Sequence, residues 1–272
     1  MPLPCSTAMK FDISRLLDTW DYKPGQVLVR RFKAKDGTDK IQLRLDLGVL
    51  QMNAEGRPDG KRPLGHESYF HHLVSQLEKH RAEHGGSDEE FVLNGEDCAR
   101  LQQEAIQYHH RYICLYQLGD YTAVVRDADR NLEVFDFVDE FAETDELSWA
   151  LQQFRPQLLL MHTRAKGMIA LEKKEFAATA REVENGIATI REFYNAFERP
   201  ELAEQSGEIA SLEQWLENLR TNHEKRSEKP EGEPLPLTER QKLERALQDA
   251  VSREDYEQAA RMRDALKNLK AP

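Results

Sequence analysis

Five histidines fall within the nineteen residues from 66 to 84, at His66, His71, His72, His80 and His84. His80 and His84 have the i, i+4 spacing that sets two imidazoles on one helix face, where they could share a divalent cation. The H-E-x-x-H pattern of a zinc hydrolase is absent, and no nearby cysteine or carboxylate completes a recognisable ligand set. Core packing and hydrogen bonding are the competing uses of these rings. A second cluster is acidic: Glu133, Asp136, Asp139, Glu140, Glu143, Asp145 and Glu146 lie in fourteen residues without a lysine or arginine. Paired carboxylates can move protons or hold metals. Here they are interleaved with Phe135, Phe137, Val138 and Phe141, which favours the wet side of a helix. That side could also serve as a contact surface for a basic partner.

Other chemistry is missing. No G-x-x-x-x-G-K-[ST] loop is present, and no G-x-G-x-x-G follows a strand. A G-x-S-x-G nucleophile turn is also absent. Cys5, Cys98 and Cys114 are odd in number, widely spaced and without a C-x-x-C pair, so they imply a reducing cytoplasm and no zinc site. The leading expectation is a non-enzymatic chain with no catalytic, cofactor-binding or metal-binding residues. A metal-dependent enzyme using the histidine-rich helix stands as an alternative.

The most informative stretch runs from Thr238 to Lys270. Leu243, Leu247 and Val251 recur every four residues, and Tyr256, Ala259, Ala260, Arg263, Leu266 and Leu269 form a second stripe of helical period. Between the stripes lies the polar turn Ser252-Arg253-Glu254-Asp255, with Asp255 placed to cap the second helix. Small Ala259 and Ala260 allow two backbones to approach closely, so the expected product is an antiparallel helical hairpin. About thirty residues with one apolar stripe per helix cannot close a core alone, so a second copy or a partner should complete it. Eight basic and seven acidic residues share the stretch, a poor electrostatic footprint for nucleic acid.

The runs Leu243-Glu-x-x-Leu247-x-x-Ala250 and Asp255-Tyr256-Glu257-x-Ala259-Ala260-x-Met262-Arg263-Asp264-x-Leu266-x-x-Leu269 resemble the UVR motif. That motif is named for the B and C subunits of the bacterial excision nuclease. It also occurs in regulators of protein arginine kinases and in Clp-type ATPases. The resemblance implies a helical hairpin that associates with another protein, often with a second such hairpin. It therefore implies a protein partner or self-association through Leu243, Leu247, Val251, Tyr256, Ala259, Ala260, Leu266 and Leu269, with Arg263 and Asp264 fixing register. A role beside the excision nuclease in nucleotide excision repair is the alternative it raises. The rest of the chain lacks helicase motifs and a nuclease domain, so the motif speaks for docking rather than catalysis.

Composition agrees with an extended interaction protein. Charged residues make up 32% and apolar ones 39% of 272 residues, and mean hydropathy is −0.73. Such a balance suits a mostly helical chain with much exposed surface. A net charge of −11 disfavours direct binding to nucleic acid or to an anionic membrane. No apolar run reaches the length of a membrane span, and the Met1-Pro-Leu-Pro-Cys5 start lacks the basic lead and apolar core of a signal peptide. The expected location is the cytoplasm.

The elements follow from periodicity. The predicted fold is mainly α, α+β overall. A small α+β domain with a β-hairpin spans 10–86, and a tetratricopeptide-like helical domain spans 95–224. A flexible linker covers 225–237, and the terminal hairpin covers 238–270. Phe11 to Trp20 reads as a short helix, and Gln26 to Lys33 as a strand. Lys40 to Met52 reads as one long strand with a bulge at Gly48, with Ile41, Leu43, Leu45 and Leu47 inward and Gln42, Arg44 and Asp46 outward. Asp36-Gly37 supplies the hairpin turn. The loop 53–65, with Arg57, Lys61 and Arg62, reads as solvated. Helices are expected over 66–84, 95–117, 122–137 and 201–226. The run 115–121 resembles the turn of a tetratricopeptide repeat, with a looser echo at 167–190, and an ordinary helical bundle is the competing description. Lys225 to Pro236, with three prolines, reads as the tether of the terminal hairpin.

Overall fold

A computed structural model of the chain describes residues 12–23 and 25–227, together with Leu243, Leu247, Gln258, Met262 and Arg263. It is mainly helical with one small antiparallel sheet, as the periodicity predicts. Helix α1 is Ser14–Asp18, and strands β1 (Leu28–Lys33), β2 (Asp39–Leu45) and β3 (Gly48–Asn53) pair in the order β1-β2-β3. Then come α2 (Tyr69–Glu83), α3 (Gly95–Gln117), α4 (Tyr121–Phe141), α5 (Asp145–Gln152), α6 (Arg155–Glu172), α7 (Phe176–Ala196), α8 (Pro200–Glu204) and α9 (Gly207–Ser227). Among the described residues no helix is long and apolar enough to cross a membrane.

The expected long strand is two strands. Asp46 and Leu47 form a tight turn, Leu45 faces Gly48, and Leu43 faces Leu50. Gly48 therefore opens β3 instead of bulging one strand. Leu45 and Leu47, expected inward, lie at the hairpin tip, where Leu47 is 93% exposed. The Asp36-Gly37 turn forms as predicted: Gly37 has φ +82°, and Asp36 Oδ1 accepts from the Thr38 amide at 2.9 Å.

Ile41, Leu43 and Met52 enter the core. On the other face, Arg30 Nε donates to Gln42 Oε1 (2.7 Å), and Gln42 Nε2 donates to Gln51 Oε1 (2.8 Å). This polar ladder is covered: the Arg30 guanidinium lies 4.1 Å from the Trp20 ring, and that of Arg44 lies 5.1 Å from the Tyr22 ring. Gln42 and Arg44 are therefore buried, although alternation places them on the outer face. The contact is cation–π in kind.

The helices start and stop where their caps dictate. Asn94 Oδ1 accepts from the Glu96 and Asp97 amides at the start of α3 (2.8 and 3.0 Å). Gly119, at φ +74°, turns the chain, and Asp120 Oδ1 accepts from the Ala123 amide to cap α4 (3.2 Å). The expected helix over 201–226 is interrupted, because Ser206 Oγ accepts from the Ile209 amide (3.3 Å) and caps α9 separately from α8. Residues 225–227, assigned to the linker, belong to α9; 228–237 lie outside the described residues.

One apolar core runs from the sheet through α2, α3, α4 and α5 to α6, and a second joins α6, α7 and α9. Helix α6 feeds both, through Leu158 and Ala165 on one side and Leu159 on the other. Its partners come close. A Cβ on Gly186 of α7 would lie 2.2 Å from Thr163 Oγ1, and one on Gly167 would lie 2.5 Å from the Trp215 ring. Residues Met1–Arg220 form one compact unit and Thr221–Pro272 another. The segments 10–86 and 95–224, expected as separate domains, share the first core without a break at Gly85-Gly86.

Candidate functional site

The five histidines of residues 66–84 do not gather into one cluster. His66 precedes α2, and its ring meets that of His72 edge-on at 5.1 Å. The His71 ring pairs Nδ1 with Ser68 Oγ (2.6 Å), and Ser68 caps α2 by accepting from the His71 amide (3.1 Å). His80 and His84 do share a face, but as a stacked pair 4.0 Å apart. His80 Nε2 donates to the Glu89 carbonyl (2.9 Å), and His84 Nδ1 donates to the His80 carbonyl (2.8 Å). The His84 ring thus supplies a donor at the C-terminal end of α2, where free carbonyls need one, and the His80 ring ties α2 to the loop that follows. Among the described residues no three or more His, Cys, Asp or Glu side chains form a cluster that could hold a metal ion. All seven members of the acidic cluster are exposed, on α4, in the α4–α5 connection (Glu143) and at the start of α5, as expected of a wet face. Cys98 and Cys114 are buried free thiols, and burial pushes the Cys114 thiol up to about 12.

The charges that matter to the body were not singled out from the sequence. Glu104 of α3 is fully buried. Arg57 Nε donates to its Oε2 (2.7 Å), the Tyr69 amide donates to Oε2 (2.8 Å) and the Phe70 amide to Oε1 (3.3 Å). Arg130 of α4 also pairs with it. The carboxylate thus sits at the N-terminus of α2, where its charge and the helix dipole attract. One helical turn pair onward, Arg111 is clamped in two bonds by Asp127 (2.6 and 2.8 Å) and donates to the carbonyls of Asn53 (3.1 Å) and Gly56 (2.6 Å). Arg126 reaches Asp127 Oδ1 (3.0 Å) and the Ala54 carbonyl (3.1 Å). The first half of the loop 53–65 is therefore fastened to α3 at Arg57 and to α4 at Ala54, while Lys61 and Arg62 stay exposed as expected. Glu104, Arg111 and Asp127 have partners in full and almost no exposure, so they build the fold and offer no surface to a substrate.

A cavity of about 250 Å³ opens beside this network, lined by Ile106, His109 and Tyr112 of α3, Phe135 of α4, and Leu151 and Phe154 around the end of α5. His109 Nδ1 lies 2.7 Å from the Tyr112 hydroxyl. Burial, helped by neighbouring His110, lowers the His109 pKa to about 4. Burial also raises that of the Tyr112 phenol. Both groups are therefore neutral at pH 7, one an acceptor for the other.

Of the ten C-terminal residues predicted to make contact, Leu243, Leu247 and Arg263 are described. All three are helical, with the two leucines half-buried and Arg263 exposed. Val251, Tyr256, Ala259, Ala260, Asp264, Leu266 and Leu269 lie outside the described residues. The body thus presents an α+β, helix-rich scaffold with sealed internal charges. The segment 238–271 matches the UVR family, described as the UvrB/uvrC motif. No curated protein and no solved structure matches the chain.

Proposed function

We propose that this chain is a non-enzymatic interaction protein whose C-terminal UVR hairpin docks on a partner protein or on a second copy of itself. The match at 238–271 carries the reading. Two observations support it. The stretch has balanced charge within a chain of net charge −11, which suits a protein partner better than nucleic acid. The buried carboxylates Glu104 and Asp127 and the buried Arg111 are consumed by one another, by Arg57 and Arg130, and by backbone. The contact seam is Leu243, Leu247, Val251, Tyr256, Ala259, Ala260, Leu266 and Leu269, with Arg263 and Asp264 setting register. The chain works in the cytoplasm, a placement supported by the unpaired thiols of Cys98 and Cys114. The hairpins α3–α4 and α6–α7 are tetratricopeptide-like, a reading supported by their tight turns and the close approach at Gly186.

Affinity purification of the full chain, with and without residues 238–270, tests this directly. Tyr256→Lys with Leu266→Glu should abolish the association and leave the thermal transition of the body unchanged. Partners and sedimentation that are the same in all three proteins would refute it. The match to the UvrB/uvrC motif also favours a second reading, an accessory contact with an excision-repair nuclease subunit. Ordinary ultraviolet sensitivity in a strain lacking the chain would refute that one.

A further inference from the structure

The cavity between α3, α4 and the α5–α6 junction has the marks of a ligand site, and neither the UVR motif nor the buried ion network uses it. Its wall is mostly apolar, and no lysine, arginine, aspartate or glutamate lines it. Two rim residues, Ile106 and Phe154, are each 48% exposed, so the mouth of the cavity is apolar as well. Its polar side chains are Gln102, Asn131, Gln157 and the His109–Tyr112 pair. The buried phenol needs an acceptor and finds it in His109 Nδ1 at 2.7 Å. A neutral imidazole that accepts at Nδ1 carries its hydrogen on Nε2. The tautomer follows from that hydrogen bond, and it leaves an N–H donor on a ring that lines a mostly apolar wall. Asn131, also on the wall, is already occupied, donating to the Ala105 carbonyl (3.0 Å) and accepting from Arg130 (3.0 Å); Gln102 donates to the Ala150 carbonyl (3.2 Å), and Gln157 is exposed to solvent.

We propose that this cavity binds a small, neutral, mostly apolar molecule bearing one carbonyl-type acceptor, which the Nε2–H of His109 recognises. Size limits the ligand. At the packing density of an organic liquid, roughly 0.55, the cavity of 250 Å³ holds about ten non-hydrogen atoms. Charge limits it too. An anion would find no cation on the wall, and a cation no carboxylate, so either would be desolvated without compensation. A ketone, lactone or ester on a bicyclic or short aliphatic frame fits both limits.

Methyl-resolved NMR titration of the full chain with 1-indanone tests the site. Indane serves as the probe without an acceptor, and indane-1-carboxylate as the anionic one. The expected result is a saturable shift of the Ile106, Leu151 and Leu158 methyls by 1-indanone, with a dissociation constant of about 0.1–1 mM for a ligand of this size. Indane should bind roughly 5- to 10-fold more weakly for want of one hydrogen bond, and the carboxylate more weakly still. His109→Phe should erase the difference between ketone and hydrocarbon. Ile106→Glu, at the exposed rim where folding tolerates the change, should abolish binding of both without altering the thermal transition. Absence of saturable shifts with 1-indanone overturns the site. Equal binding of 1-indanone and indane to the wild type overturns the role given to His109.

Discussion

Acidifying the protein from pH 7 to pH 5 tests the environment of His109 quantitatively. In the folded chain its pKa is about 4, lowered first by burial and then by His110, against an ordinary 6.5. Between those two values the unfolded chain binds a proton that the folded chain does not. Stability from this ring is therefore present above pH 6.5 and is lost as the pH falls towards 4. Integrating the two titrations from pH 7 to pH 5 gives about 1.8 kcal/mol, and residual solvent screening brings the expected loss to about 1–2 kcal/mol. Urea unfolding followed by circular dichroism at both pH values, on the wild type and on His109→Gln, isolates the effect. Glutamine keeps an acceptor for the Tyr112 hydroxyl while removing the titration. His72 and His162, whose pKa values burial also lowers, contribute with the same sign in both proteins and cancel in the comparison. The wild type should lose about 1–2 kcal/mol more than the variant on acidification. Equal losses in the two would refute the burial of a neutral imidazole at this position.

Further predictions concern the body. Glu104→Gln should destabilise it by about 3–5 kcal/mol, because Arg57 and Arg130 would be left buried beside a neutral amide; the urea midpoint reports this, and a loss below about 1 kcal/mol would contradict the hub. Gly186→Ala places a methyl 2.2 Å from Thr163 Oγ1 and 2.8 Å from its Cβ. It should lower stability by about 1–3 kcal/mol, and Thr163→Gly in the same chain should restore part of the loss. Additive losses in the double variant would show that the two sites do not meet.

Much of the helical body is legible in the sequence because its signals are local. Asn94 and Asp120 are cap residues, Gly119 is a left-handed turn, and the limits of α3 follow from them within a residue. Failures arise where the deciding group is distant or where the usual residue is missing. The turn at Asp46-Leu47 carries no positive φ, so it lacks the Asn-Gly type of marker that announces a two-residue hairpin. Gln42 and Arg44 look solvent-facing because their cover, Trp20 and Tyr22, comes from another segment. The ionic hub did leave a trace. Leu101, Glu104, Tyr108, Arg111 and Leu115 are spaced three and four apart, so Glu and Arg stand on the same stripe as the core leucines. A charge on such a stripe asks for a buried partner, and Asp127 and Arg130 lie on the facing helix. The UVR motif was the reverse case, fully local and readable residue by residue.

The ionic hub also changes how the chain can be divided. Glycines at 85 and 86 invite a cut between a sheet domain and a helical domain. A fragment starting at residue 95 would keep Glu104, Arg111, Arg126 and Arg130. It would lose Arg57, the two amides at the head of α2, and the three carbonyls of Asn53, Ala54 and Gly56 that satisfy them. Glu104 and Arg111 keep ionic partners on the helices, Arg130 and Asp127, but each half holds buried polar groups whose remaining hydrogen bonds come from the other. The N-terminal third thus belongs to the same unit as the helices, and a fragment boundary belongs beyond the end of α9 at Ser227, not near Gly86.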